Sequence, residues 1–350
     1  MLEEIREQPD ALARTLQRER PRVERLRALL KRRRPALILL AARGTSDNAA
    51  QFGRYLLEIT TGIPVSLAAP SIFTVYRAAP ALRQALVVAI SQSGESTDTN
   101  LVLEGAQRQG ALTVGITNEA RSSLARLAEH VILVHAGRER SVAATKTYTG
   151  QLLAVYLLAY ALGAGIRLSD LARLPEWAAA ALKLEPDIRQ ASERYRFMGD
   201  AAVIGRGLNY ANALEFGLKL IETCYVVAER FSAADFLHGP IAMIERSFPV
   251  FLFAPAGATW PAMRQVLERL ASRKAETLII TDSSNRAVRD CAGRAVVLPV
   301  KLAGGRFSPD DLYTPVPYII PAQLFAASLA VWKGLDPDRP RGLKKVTRTV

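Results

Sequence analysis

Leu37-Ile-Leu-Leu-Ala-Ala-Arg-Gly44 and Ala201-Ala-Val-Ile-Gly-Arg-Gly207 are two versions of one pattern, an apolar run of strand length that breaks into Arg-Gly. The correspondence continues in order. Leu112-Thr-Val-Gly-Ile-Thr-Asn118 has its counterpart in Thr277-Leu-Ile-Ile-Thr-Asp282, and Val131-Ile-Leu-Val134 in Ala295-Val-Val-Leu298. Each copy closes on an apolar helical stretch behind a Pro- or Thr-containing loop, Gln151 to Leu162 in the first and Pro321 to Lys333 in the second. A repeat of this length is a duplicated domain, not a solenoid unit.

Within each copy, short apolar strands alternate with helical segments such as Ser46 to Glu58 and Leu101 to Gln109. That alternation predicts parallel strands joined by right-handed crossovers. The fold class is therefore α/β, with two doubly wound parallel-sheet domains in tandem. We divide the chain into an N-terminal helical segment (1–30), a first domain (31–168), a helical linker (169–195), a second domain (196–335) and a C-terminal tail (336–350). The linker carries Leu171, Leu174, Trp177, Leu182 and Leu184 at helical spacing, with Pro175 and Pro186 expected to break it.

At 350 residues and 49% hydrophobic content the chain can fill two sizeable cores. The longest apolar run, Leu152 to Gly163, is short of the roughly 20 residues a membrane span needs, and Met1-Leu-Glu-Glu-Ile-Arg6 lacks a signal-peptide core. The reading is a soluble cytoplasmic protein. Cys224 and Cys291 are far apart and support neither a disulfide framework nor a thiolate metal site. The net charge of +13 is spread among acids, and its one dense run, Lys31-Arg-Arg-Arg34, ends a helical pattern. No nucleic-acid or membrane partner is expected, and a cationic surface suits an anionic small molecule.

Ligands of open α/β sheets bind beyond the carboxyl ends of the strands, where the loops Gly44–Asn48, Ser91–Thr99 and Gly205–Asn209 fall. Ile90-Ser-Gln-Ser-Gly-Glu-Ser-Thr-Asp-Thr99 follows the apolar run Ala85 to Ile90 directly. Standing alone, it reads as a Ser/Thr-rich helix cap and turn. Its position gives a second reading, a phosphate cradle: orphan N–H groups of a helix starting near Asp98, hydroxyls of Ser91, Ser93 and Ser96, and a glycine, Gly94, that lets the backbone close round an anion.

The second copy carries Asn209 to Glu222, a helical pattern with Ala213, Leu214, Leu218 and Ile221 on apolar positions. Glu215, Lys219 and Glu222 share a neighbouring stripe at i,i+4 and i,i+3 spacings. They form either a surface salt-bridge ladder or an acid–base set. His238, just before Gly239-Pro240, is either a capping or core histidine or a proton carrier, since imidazole is the side chain that titrates nearest neutral pH.

With these motifs in place the chain resembles the sugar-isomerase (SIS) family. Within it, the chain resembles the tandem isomerase half of the glutamine:fructose-6-phosphate aminotransferases and SIS-type glucosamine-6-phosphate deaminases. The resemblance runs from Glu4-Ile-Arg-Glu-Gln-Pro9 through Gly44-Thr-Ser-Asp-Asn48, Ser91-Gln-Ser-Gly-Glu95, Val142-Ala-Ala-Thr-Lys146, Gly205-Arg-Gly207, Leu214 to Glu222 and His238-Gly-Pro240, to Pro340-Arg-Gly-Leu-Lys-Lys345. It implies two flavodoxin-like three-layer sandwiches. It also implies that Ser91, Gln92, Ser93 and Ser96 hold the substrate phosphate, and that Ser46, with its neighbours Gly44 and Thr45, lines the sugar. Glu222 would be the base between C1 and C2, Lys219 its polar partner, His238 the ring-opening group, and Lys345 the Schiff-base amine. A homodimer with His238 reaching the neighbouring subunit's site is implied too, with no cofactor and no metal. Ala144 and Ile221 depart from the family's serine and lysine at those places.

Position 2 is leucine where a glutaminase domain would carry cysteine, and the chain is expected to work without such a domain. The expectation is therefore loss of ammonia from a phosphorylated amino sugar, giving glucosamine-6-phosphate deaminase activity. The alternatives are plain aldose–ketose isomerisation, deglycation of a phosphorylated amino-acid adduct, a synthase fed by a separate glutaminase, and a sugar-phosphate sensor without catalysis.

Overall fold

The computed structural model describes residues 1–291, 293–300 and 311–345. In chain order, the first half holds α1 (Leu2–Arg6), α2 (Gln8–Arg32), β1 (Leu37–Ala41), α3 (Thr45–Thr61), β2 (Val65–Leu67), α4 (Ser71–Thr74), β3 (Ala85–Ile90), α5 (Thr97–Arg108), β4 (Leu112–Thr117), α6 (Ser123–Leu127), β5 (His130–Leu133) and α7 (Lys146–Ala161). After α8 (Leu168–Leu171), α9 (Leu174–Leu182) and α10 (Glu185–Glu193) come β6 (Asp200–Gly205), α11 (Tyr210–Cys224), β7 (Val227–Ser232), α12 (Ala233–Leu237), β8 (Pro249–Phe253), α13 (Trp260–Ser272), β9 (Glu276–Asp282), β10 (Arg294–Leu298) and α14 (Pro315–Trp332).

These elements fall into two compact units. The first-sheet unit comprises Glu7–Glu139, Lys146–Pro175 and the tail residues Lys344 and Lys345. The second-sheet unit comprises Met1–Arg6, Arg140–Thr145 and Glu176–Leu343. The first sheet has the order β2-β1-β3-β4-β5 and the second β7-β6-β8-β9-β10, every pairing parallel. This is the flavodoxin-like order, with its switch point between the first and third strands of each copy.

Central strands of such sheets are covered on both faces and so read as unbroken apolar runs. All six residues of β3 are buried. Val87 and Ala89 pack with Val102, Leu103 and Ala106 of α5 and Leu124 of α6, while Leu86, Val88 and Ile90 alternate to the opposite side. In the same unit α7 packs against α2 and α3. In the second-sheet unit Ile204, Val250 and Leu252 meet Phe236, Met263 and Leu267 in one cluster, and α14 packs on α10 and α11.

The linker is interrupted at its two prolines as expected: Pro175 and Pro186 stand in the first turns of α9 and α10, where proline's missing N–H has no intrahelical partner to lose. Two other local expectations are corrected. The last helix starts at Pro315, not Pro321, and carries Pro321 inside it, buried nearly all round. Among the described residues α14 is the one helix long and apolar enough to cross a bilayer, and 89% of its span is buried within the protein. On α11 the inward face is inverted. Glu215 and Lys219 are fully buried, whereas Leu214 and Leu218 are partly open and Ile221 is 40% exposed.

Candidate active site

The carboxyl end of β3 leads straight into the serine-rich loop. Ser91 N–H donates to the Ile116 carbonyl at 3.0 Å, extending the sheet by one bond, and Asn118 N–H and Thr117 Oγ1 donate to the Gln92 carbonyl at 3.1 and 3.2 Å. Gly94 then turns with φ +65°, and a Cβ there would sit 2.1 Å from Ser122 Oγ and 2.5 Å from Ser122 Cβ. Both the dihedral and the space demand glycine. Its carbonyl accepts from Leu124 N–H at 2.9 Å and from Asn100 Nδ2 at 3.3 Å.

Ser91 Oγ accepts from Gly94 N–H at 3.1 Å and Ser93 Oγ from Glu95 N–H at 3.3 Å. Each hydroxyl therefore keeps its proton to give away. Ser96 is the N-cap of α5 with extended backbone and no side-chain capping bond. No side chain at the N-cap takes up the N–H groups of the first turn of α5, the end of a helix that suits an anion. Arg43, at the end of the neighbouring β1, donates from Nε and Nη2 to Asp98 Oδ2 at 3.0 and 2.6 Å. That pairing plants a guanidinium beside the same helix end. Sequence reading missed Arg43, although it is the Arg of the Arg-Gly signature itself.

The loop after β1 supplies the remaining residues of this group. Gly44 (φ +58°) precedes Thr45, the first residue of α3, and Ser46 Oγ, buried, accepts from Gln151 Nε2 of α7 at 2.9 Å.

A second missed residue is Glu139. Its side chain is fully buried. Oε2 accepts from Gln92 Nε2 at 2.9 Å, Thr147 Oγ1 at 2.7 Å and Lys345 Nζ at 2.8 Å, and Oε1 accepts from Thr147 N–H at 3.2 Å. In sequence it stands in the charged stretch Gly137-Arg-Glu-Arg140, and a pairing partner more than two hundred residues downstream leaves no local signal. Lys146, from the Val142–Lys146 motif, is spent differently: its Nζ donates to Glu7 Oε2 at 2.6 Å and to the Arg138 carbonyl at 2.8 Å.

In the second-sheet unit, α11 carries the charged stripe inward. Lys219 Nζ lies 2.5 Å from Glu222 Oε2 and 3.4 Å from Glu215 Oε1. Lys219 and Glu215 have no exposed side-chain surface; Glu222 keeps 22% of its own. The surface-ladder alternative is thereby excluded, because two of the three charges are out of water. The arrangement orients a carboxylate that still reaches solvent by an ammonium that does not. His238 closes α12 and is exposed, and its N–H donates to the Asp235 carbonyl at 3.2 Å. Ala144, buried, sits in the 140–145 segment, which Glu4 holds through the backbone N–H groups of Arg140 and Ser141.

The sequence candidates thus fall into two groups. Gly44, Thr45, Ser46, Ser91, Gln92, Ser93, Ser96 and Lys345 belong to the first-sheet unit, and Lys219, Glu222 and His238 to the second.

The SIS domain family model matches residues 32–161 and 199–300, each match spanning one complete parallel sheet. The chain belongs to the SIS domain family. Among sequence relatives, this SIS chain is 38% identical over 355 aligned positions to the glutamine–fructose-6-phosphate aminotransferase (isomerizing) of Pyrococcus horikoshii, covering 99% of this chain and 57% of that protein. It therefore spans a little more than half the length of that relative. Among solved structures, it superposes on the C-terminal domain of the Francisella tularensis glucosamine-fructose-6-phosphate aminotransferase with a TM-score of 0.86 at 29% identity, over 97% of this chain and 98% of that one. The tagatose-6-phosphate ketose/aldose isomerase of Escherichia coli shares the SIS fold at a TM-score of 0.83 and 21% identity, over 97% and 95%.

Proposed function

We propose that this SIS protein interconverts the aldose and ketose forms of a phosphorylated amino sugar. In dilute ammonia it would act as a deaminase, turning glucosamine 6-phosphate and water into fructose 6-phosphate and ammonia. The observation that carries the reading is the Lys219–Glu222 pair, a carboxylate 2.5 Å from a buried ammonium yet partly open. A carbon base needs this combination of fixed orientation and access.

The steps follow from the residues. Hydroxyls of Ser91, Ser93 and Ser96, the Gln92 amide and the first turn of α5 hold the phosphate, with Arg43 adding charge. Ser46, Gly44 and Thr45 line the sugar. His238 passes the proton that opens the ring. Its exposed place at the end of α12 suits a ring that serves a second copy of the chain in a homodimer. Glu222 takes the C2 proton of the open aldose and returns it to C1, leaving a ketimine at C2. Attack of the Lys345 amine, or of water, at C2 expels ammonia, and hydrolysis frees the ketose. Mass action in dilute ammonia favours this direction.

The test is purified protein with glucosamine 6-phosphate, assaying ammonia and fructose 6-phosphate together. Equal amounts of the two are expected. No ammonia at saturating substrate would sink the deaminase reading. Exchange of solvent deuterium into fructose 6-phosphate without ammonia release would then leave plain isomerisation, and binding without any exchange a sensor.

A further inference from the structure

We propose that Glu139 is the positioning residue that sets the tail amine against the phosphate cradle. This rests on the reading of Lys345 as the amine that attacks C2. A buried carboxylate is tolerated only when its acceptor sites are filled. Two bonds to Glu139 come from Thr147, in the first turn of α7, a helix buried almost throughout. These anchor the carboxylate to the core. Two more reach outward, to Gln92 in the cradle and to Lys345 in the tail. One fixed oxygen, Oε2, thus holds the side chain of the loop that grips the phosphate and the nitrogen that would attack the sugar.

The chemistry suits this placement. In imine formation the Lys345 ammonium and the ketone become a protonated imine and water: the C–N bond forms, the C–O bond breaks, and two protons leave nitrogen with the departing oxygen. One positive charge is present before and after the step, so a carboxylate matched to the amine stays matched to the product. Charge-assisted bonds of this kind are short and directional, which is what fixes an otherwise flexible lysine chain.

The experiment compares the wild-type chain with Glu139→Gln, which keeps the volume and an acceptor oxygen but removes the charge. Three readouts are taken: borohydride trapping of fructose 6-phosphate on Lys345, acylation of Lys345 by a dilute succinimidyl ester, each followed by mass spectrometry, and the Kd for fructose 6-phosphate. Trapping is expected to fall at least tenfold and acylation to rise at least fivefold, while Kd stays within fivefold. Acylation within twofold of wild type, or trapping within threefold, overturns the proposal. If the wild type itself traps no sugar at Lys345, the functional reading of that lysine fails and takes this role with it. That result appears in the wild type, whereas failure of the Glu139 proposal appears only in the variant. Should Glu139→Gln not unfold cooperatively in urea, Glu139→Asp, too short to keep both outward bonds, is judged by the same trapping thresholds.

Discussion

Lys219 Nζ stands 2.5 Å from Glu222 Oε2 on α11, with the ammonium wholly out of water and the carboxylate 22% in it. On the proposed function the asymmetry divides the pair into two roles, the lysine as support and the glutamate as the base. Glu222→Gln should therefore lower turnover by about a hundredfold or more, the range removed with a general base, and leave the Kd for fructose 6-phosphate within threefold. Steady-state assays with equilibrium titration would decide it, and turnover within threefold of wild type would withdraw the base assignment.

Removing the support has a different signature. Lys219→Met takes away the ammonium 3.4 Å from Glu215, whose side chain is 0% exposed, and 2.5 Å from Glu222. The expected loss is about 3 kcal/mol of stability, in the range found for breaking one side of a buried pair. Pairing it with Glu215→Gln should recover much of that loss. Urea unfolding of the two single variants and the double variant measures the coupling; purely additive losses would argue against it.

Gly94 is a purely steric case. Gly94→Ala must hold an alanine at φ +65° and place its Cβ 2.1 Å from Ser122 Oγ. Strain of about 1–3 kcal/mol is expected from the backbone alone, with KM for the sugar phosphate raised at least tenfold as the loop opens. Adding Ser122→Ala should not restore binding, because the Cβ of residue 122 would still lie at 2.5 Å.

Cys224 gives the pH dependence. Burial pushes its thiol up to about 11 from an ordinary 9.0. The folded state therefore keeps this proton where the unfolded chain has lost it. The associated stability is fully present below pH 9 and declines as pH rises towards about 11, by at most about 2–3 kcal/mol for a shift of that size. Urea midpoints between pH 8.5 and 11 should fall less steeply in Cys224→Ala than in wild type. In the same folded protein iodoacetamide at pH 8 should label the half-buried Cys291 and spare Cys224. Equal labelling would contradict the burial argument.

The strands were legible because parallel, doubly covered strands have no solvent face to interrupt them; β3 runs from Ala85 to Ile90 as the apolar run does. The helices were harder. On α11 the apolar stripe of Leu214, Leu218 and Ile221 adjoins the charged one, and hydrophobicity alone turns the wrong stripe inward. A buried, mutually paired Glu215 and Lys219 can reverse that preference, but only tertiary structure shows that the pairing is made. Pro321 misled for a related reason: a proline inside a helix buried nearly all round is supported by packing that no local pattern records. Glu139 was invisible because its meaning lies in Gln92, Thr147 and Lys345, which the chain brings together from three separate segments.

The shared strand order makes β3 and β8 counterparts, but the loops at their carboxyl ends are not alike. After β8 comes Ala254-Pro-Ala-Gly-Ala-Thr259, whose single hydroxyl donates to Asp311 Oδ2 at 3.3 Å. There the Ala254 carbonyl accepts from Thr281 Oγ1 and Asn285 Nδ2, so the polar donors near that strand end are turned back into the protein. Among the described residues the loop after β8 has no counterpart to the hydroxyls of Ser91, Ser93 and Ser96. On the proposed function the binding stoichiometry should accordingly be one sugar phosphate per chain, so that the duplication doubles the frame without doubling the site.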